Sequence, residues 1–245
     1  GHGSTPNLGD NAIMRMNNVI DKLGGYRSEV LFVPTVKRYL NELAKADARL
    51  QQPFSRLLAN PELSDQLLAE LAKSVKPLVE AIQPRIRMTI TPTMIQGGIK
   101  ENVIPSECEG VFDCRILPGQ NTAAALQLIK ALLQDDSLDK LVFEVIQANE
   151  PSESHVETPL YEVISDVLRA FEPDCEVTPM LMTGGTDSRF FRKTGSVCYG
   201  FHPMRPEEQY DEVIKRMHGV DERISVENLV FGASVLYEVV KRFMS

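Results

Sequence analysis

The stretch Met180–Gly200, MLMTGGTDSRFFRKTGSVCYG, ends one apolar run in Thr183-Gly184-Gly185-Thr186-Asp187-Ser188-Arg189 and starts another at once. Backbone N–H groups in a glycine-rich turn after a strand can cradle an anion, and glycines let a ligand approach the main chain. Thr183, Thr186 and Ser188 add hydroxyl donors, and Arg189 adds a planar cation suited to a carboxylate. The same residues also read as a plain turn, with Arg189 in a local salt bridge and Asp187 capping the helix that follows.

The four histidines are His2, His155, His202 and His218. A two-metal hydrolase gathers His and carboxylate ligands around one site. His155-Val156-Glu157 looks like half a ligand pair but sits in a polar linker, and Glu207-Glu208 reads as a solvated carboxylate pair. His218-Gly219-Val220-Asp221-Glu222-Arg223 lies in a loop leading into a capped helix, placed to project into a cleft. Glu101-Asn102-Val103-Ile104-Pro105 reads as a turn before a strand, where Asn102 could donate to a substrate oxygen. Arg115, on the polar parity of the next strand, is within local reach of Asp113 or Glu107.

The elements that must position these residues follow from periodicity. Ile13, Met16, Ile20 and Leu23 mark a helix over Asn11–Leu23 that Gly24-Gly25 ends. From Pro34 to Pro84 the pattern is helical and cut by prolines, giving helices over Thr35–Leu50, Phe54–Leu58 and Pro61–Ile82. Strands are expected over Arg85–Thr91, with Met94–Gly97 as its continuation or a second short strand, and over Glu107–Ile116 and Leu141–Ile146. A helix is expected over Thr122–Leu133. Beyond the polar crossing Ala148–Thr158, Leu160–Phe171 is an amphipathic helix, Val177–Met182 and Val197–Phe201 are apolar strands, and Ser225 caps a final helix to Phe243. Residues 1–150 therefore read as an α+β layer, an antiparallel sheet with helices on one face and a helical insertion at about 27–85. Residues 151–245 read as part of an α/β layered domain.

Bulk properties narrow the function classes. The chain has 245 residues with a net charge of −8, a pI of about 5.1 and no basic stripe, which argues against a nucleic-acid surface. No apolar run approaches the ~20 residues that cross a bilayer. No signal-peptide pattern opens the sequence, and Cys108, Cys114, Cys175 and Cys198 lack Cys-x-x-Cys spacing. The expectation is reduced thiols in a cytoplasmic protein.

The ordered motifs Gly1-His2-Gly3-Ser4-Thr5-Pro6 with Asn11-Ala12-Ile13, Asn102-Val103-Ile104-Pro105, Asp113-Cys114-Arg115 with Pro118-Gly119, Gly184-Gly185-Thr186-Asp187 and His218-Gly219-Val220-Asp221-Glu222 resemble the ArgE/DapE/carboxypeptidase family of zinc-dependent aminoacylases and peptidases. The helical insertion and the His-Gly-Val-Asp-Glu-Arg ending look most like its carboxypeptidase S and N-acyl amino acid hydrolase branch. The resemblance implies that residues 1–150 are a lid that forms a homodimer, and that 151–245 are the returning C-terminal part of a catalytic α/β domain. It implies that His2 reaches the partner subunit's active site to stabilise a tetrahedral oxyanion, assisted by Asn102. Arg115 and the loop of Thr183, Gly184, Gly185, Thr186 and Arg189 would hold the substrate's free carboxylate, and His218 would be a ligand in a two-zinc site.

The departure from the family is in the metal ligands. Its His-x-Asp, bridging Asp and Glu-Glu with the general base precede the lid, and no His-x-Asp occurs here; Glu207-Glu208 falls on the wrong side of the glycine loop. The expectation is a truncated chain with a native His2. It is either the inactive C-terminal portion of a zinc hydrolase acting on an amide beside a carboxylate, or a non-catalytic dimerisation or binding module.

Overall fold

A computed structural model describes residues 1–6, 9–134, 140–207, 212–213 and 216–245. The chain divides into two compact units, Gly1–Val33 with Ile82–Ser152 and Pro34–Ala81 with Glu153–Ser245.

In the first unit the Asn11 side chain accepts from the backbone N–H groups of Ile13 and Met14 and so caps α1 (Ala12–Gly25). The helix runs through both glycines before Tyr26 leaves it in extended conformation. Strands β1 (Thr89–Gly97) and β2 (Cys108–Arg115) pair antiparallel. The register slips between Pro92 and Met94, so β1 is one bulged strand, not two. Proline has no N–H to give a ladder, and a bulge is where a strand tolerates it. Gly98, at φ +82°, then turns the chain in a conformation that side chains disfavour.

One face of this hairpin carries the core of the unit. Val19 and Leu23 of α1, Met88, Ile90 and Leu133 are buried together, with Phe112, Cys114 and Ile116 of the β2 segment packed against them. The even-numbered residues of β2 thus face inward, as their alternation requires. Helix α5 (Thr122–Leu132), capped by Asn121 accepting from the Ala124 N–H, covers the same face. Burial pushes the Cys114 thiol above its ordinary pKa, with the Asp113 carboxylate adding to the effect. The strand expected over 141–146 does not form a ladder. Leu141 and Phe143 alternate into this core, but two-residue periodicity records only which side is buried, and a ladder needs a hydrogen-bonding neighbour.

In the second unit the helix expected over Thr35–Leu50 is broken. Helix α2 (Pro34–Ala46) gives way at Asp47, whose carboxylate accepts from the Arg49 N–H to cap α3 (Ala48–Ala59). The Arg49 side chain also holds the Asp47 carboxyl below its ordinary pKa. Pro53 lies inside α3 and does not cut it. Pro61 opens a short 3-10 turn, Pro61–Leu63, that leads into α4 (Ser64–Ile86). Helix α4 bends at Val75 (φ −138°, ψ 53°), because the Pro77 ring clashes with the Lys73 carbonyl and supplies no N–H.

Helix α6 (Pro159–Phe171) is capped by Thr158, and Pro159 sits at its first position, where no N–H is needed. Short helix α7 (Ser188–Arg192) follows the glycine loop, and α8 (Val226–Phe243) starts at Ser225. Ile164 and Val167 of α6 bury against Phe231, Val235 and Val239 of α8. The rings of Phe171 and Phe231 meet edge to face at 6.0 Å. The insertion helices join this unit through polar contacts: Thr35 Oγ1 donates to Glu153 Oε2 at 2.6 Å, and Arg38 pairs with Glu157 at 3.1 Å. Arg38 also stacks 5.2 Å from the Tyr161 ring centroid.

The segments 177–182 and 197–201 are not strands of a ladder; the described residues hold a single two-stranded sheet. In the first, Pro179 and Leu181 are buried while Met180 and Met182 are exposed, so the alternation is real but no neighbouring strand pairs with it. No helix among the described residues is long and apolar enough to cross a membrane.

Candidate functional site

His2 and Asn102 come together in the first unit. His2 forms an isolated antiparallel bridge with Val103. The Gly3 N–H donates to the Asn102 carbonyl at 2.8 Å, and the Ile104 N–H donates to the Gly1 carbonyl at 2.8 Å. A Cβ at Gly3 would lie 3.3 Å from the Asn102 oxygen, so glycine permits the close approach. The His2 ring is held from its own side: Nδ1 lies 2.7 Å from Ser4 Oγ and accepts the Ser4 N–H at 3.2 Å. The Thr5 N–H and hydroxyl both donate to the His2 carbonyl, at 3.0 and 3.1 Å. His2 and Asn102 are exposed, and the Asn102 side-chain amide has no hydrogen bond to the described residues. The imidazole and the amide are thus both exposed on adjacent backbone segments.

Arg115 lies at the end of β2 in the same unit, where its Nη2 donates to Asp113 Oδ2 at 2.7 Å. Both side chains are about half exposed. Residues i and i+2 share a strand face, so the pair follows directly from their spacing.

Thr183, Gly184, Gly185, Thr186 and Arg189 lie in the second unit. Neither glycine has positive φ, so what they provide is bare main chain, not a special turn. A Cβ at Gly185 would meet Arg189 Nη1 at 3.5 Å, which places the guanidinium over the loop. Arg189 makes no ion pair with the described residues, and its buried Nε has no hydrogen-bond partner. Its guanidinium carbon lies 4.7 Å from the Phe190 ring centroid. The hydroxyls of Thr183 and Thr186 likewise have no partner among the described residues. Asp187 precedes α7 but its side chain makes no capping bond. Among the described residues the loop therefore presents a cation without a counter-ion, two hydroxyls and open main chain, a set suited to a carboxylate.

The Arg192 side chain, one turn further on, is committed elsewhere. Its Nε donates to Ser154 Oγ at 2.9 Å and its Nη2 to the Cys198 carbonyl at 2.8 Å, while Ser154 Oγ accepts the Cys198 N–H at 3.0 Å. Arg192, Ser154 and Cys198 were not singled out by their types, and nothing local in the sequence separates Arg192 from Arg189. Asn228 is another such residue. It is buried in α8, accepts the Arg205 N–H at 2.7 Å and donates to the Arg205 carbonyl at 3.2 Å, tying the incoming chain to the helix.

His218 has φ 58° and Asp221 φ 66°, left-handed values that few residues other than glycine adopt. The Gly219 N–H closes a turn to the Arg216 carbonyl at 2.8 Å, and Asp221 ion-pairs with Arg223. His218 is exposed, with no partner among the described residues. Glu157 is paired with Arg38, the Glu207 carboxylate accepts from Ser225 Oγ at 2.9 Å, and Glu208 lies outside the described residues. Among the described residues no three His, Cys, Asp or Glu converge to hold a metal. A zinc site takes three or four protein ligands, so the described residues of this chain do not by themselves fit a zinc.

Residues 1–140 match M20_dimer, the peptidase dimerisation domain. The chain is 31% identical over 213 residues to the N-fatty-acyl-amino acid synthase/hydrolase PM20D1 of Homo sapiens, covering 84% of this chain and 39% of that one. It is 28% identical over 189 residues to a probable carboxypeptidase S-like 2 of Dictyostelium discoideum, covering 77% and 35%. It is 28% identical over 180 residues to an acetylornithine deacetylase of Myxococcus xanthus, covering 73% and 44%. The chain thus spans well under half the length of these relatives. The fold is also similar to an M20 family metallo-carboxypeptidase of Sulfolobus solfataricus, with a TM-score of 0.50 at 16% identity, over 79% of this chain and 51% of that one. With more than half of its residues inside the dimerisation-domain match, and with relatives that continue the likeness beyond it, the chain belongs to the M20 peptidase family.

Proposed function

We propose that these residues are the lid and C-terminal catalytic portion of a metal-dependent hydrolase that cleaves an amide bond beside a free carboxylate, in an N-acyl amino acid or at a peptide C-terminus. The observation that supports the reading is the backbone pinning of Gly1–Ser4 against Asn102–Ile104, with the side chains of His2 and Asn102 both exposed. Donors fixed before reaction act on the negative charge that develops on the carbonyl oxygen, and they need no reorganisation when it appears.

One relative is named for N-fatty-acyl-amino acids, one for acetylornithine and one as a carboxypeptidase, and the reading takes from these names a substrate with a free carboxylate. Arg189 matches that group, because it is the cation of the glycine loop left without a counter-ion. Gly184 and Gly185 leave room for the carboxylate, and Thr183 and Thr186 donate to it. Arg115 serves a substrate by exchanging Asp113 for the incoming carboxylate.

His218 contributes one ligand to a two-zinc site whose remaining ligands come from residues outside these 245. The lid makes a homodimer, through which His2 serves the partner's site. Exposed apolar residues on β1, Met94 and Ile95, support such an interface. Four free thiols support a reducing, cytoplasmic setting. The second reading is a dimerisation module without metal, supported by the lack of three converging His, Cys, Asp or Glu among the described residues.

Zinc content and N-acyl amino acid hydrolysis, measured on this chain and on the complete protein, test the reading. The expected result is about two metals per chain and turnover in the complete protein only. Zinc-dependent turnover by the 245 residues alone, or a complete protein that neither binds metal nor hydrolyses, contradicts it.

A further inference from the structure

We infer that Ser4 is a positioning residue that locks His2 in its Nε2–H tautomer, so that Nε2 is the donor presented to substrate. The inference rests on the reading of His2 as an oxyanion donor.

Both contacts to the ring come from Ser4 and both reach Nδ1, from the backbone nitrogen at 3.2 Å and from Oγ at 2.7 Å. A backbone N–H can only donate, so Nδ1 presents its lone pair. A neutral imidazole whose Nδ1 accepts carries its proton on Nε2. The Ser4 hydroxyl, free to rotate, settles as a second donor to the same nitrogen. A proton on Nδ1 would face the Ser4 N–H directly, so this arrangement disfavours the other tautomer. Nε2 has no partner among the described residues.

The backbone around the ring is fixed as well. Thr5 donates twice to the His2 carbonyl, and Gly3 donates to Asn102. The ring thus hangs from a turn anchored on both sides, with its orientation set by Ser4. No carboxylate contacts the ring among the described residues.

The test uses the complete protein. Ser4→Ala is expected to lower kcat about 3- to 10-fold, the worth of one hydrogen bond, with KM within about twofold. Ser4→Thr, which keeps the hydroxyl, restores most of kcat. Ring nitrogen-15 spectra above the imidazole titration, with His2 assigned by its loss in His2→Ala, are expected to show Nε2 protonated and Nδ1 bare. Ser4→Ala keeps the backbone N–H but loses the hydroxyl, so the Nδ1–H tautomer should gain population without displacing Nε2–H altogether. A protonated Nδ1 in the wild type, or an unchanged kcat and tautomer in Ser4→Ala while His2→Ala is impaired, overturns the inference. If His2→Ala keeps full kcat, the oxyanion reading falls and the spectrum alone decides the Ser4 lock: Nε2–H that loosens in Ser4→Ala supports it, and any other pattern overturns it.

Discussion

The Gly3 N–H donates to the Asn102 carbonyl at 2.8 Å, so the chain's start and the loop before β2 are joined across almost 100 residues of sequence. This contact makes a unit of two residues that carry no signal of mutual contact in the sequence. His2 and Asn102 should therefore act together. Asn102→Ala in the complete protein is expected to lower kcat about 10-fold or more, with KM little changed. Adding it to His2→Ala should cost much less than the product of the single effects, because residues acting as a unit are not additive. Strict additivity of the two log rate losses would separate them.

Two arginines on α7 are predicted to behave in opposite ways. Arg189 has an open guanidinium, whereas Arg192 is bonded to Ser154 and to the Cys198 carbonyl. Arg189→Gln should raise KM for a carboxylate substrate at least 10-fold and leave the melting temperature within about 1 °C, since it breaks no ion pair. Arg192→Gln should destabilise by about 1 kcal/mol, because it strands part-buried backbone and hydroxyl partners. Thermal unfolding and steady-state kinetics on both variants check the contrast, which a shared phenotype would refute.

Much of the fold was legible in the residues. Asn11, Asn121, Thr158 and Ser225 each precede a run at helical spacing, and each caps a helix. The inward parity of β2 follows from Phe112, Cys114 and Ile116. The errors came where local pattern does not decide. Asp47 broke a continuous helical pattern because a cap bond to Arg49 competes with helix continuation. Val177–Met182 alternates like a strand, but pairing is a property of its neighbours. In the site, residue types offered Asn102 and Arg189 as candidates, and His2 entered through the family resemblance. They did not separate Arg189 from Arg192, nor show Asn228 buried against Arg205, because those choices are made by tertiary contacts.

The acid limb of stability has a named contributor. Lys140, hydrogen-bonded to Asp10 at 2.9 Å, and then Arg15 hold the Asp10 carboxyl below its ordinary value of 3.8. A depressed folded-state pKa means that the contribution is present above about 3.8 and is lost as pH falls through the lower, folded value. Asp10 is exposed, so the effect is small. Asp10→Asn should narrow the gap between urea midpoints at pH 7 and pH 3, and an identical gap in both proteins would rule the contribution out.

The exposed apolar part of β1 predicts association. Met94 and Ile95 are 68% and 57% exposed on a strand of a two-stranded sheet, and a bare hydrophobic strand is a template for pairing. Ile95→Lys should shift the chain from dimer towards monomer in sedimentation equilibrium without lowering its helix content. A wild-type chain that is monomeric at micromolar concentration would refute a lid-mediated dimer.

The most direct test of the account is the kinetics of His2→Ala in the complete, metal-loaded protein acting on an N-acyl amino acid. A donor aimed at the oxyanion acts only near the transition state, so kcat should fall about 100- to 1,000-fold while KM stays within a few-fold. A His2→Ala enzyme with wild-type kcat would contradict the central claim, and the contact between Gly1–Ser4 and Asn102–Ile104 would then be purely structural.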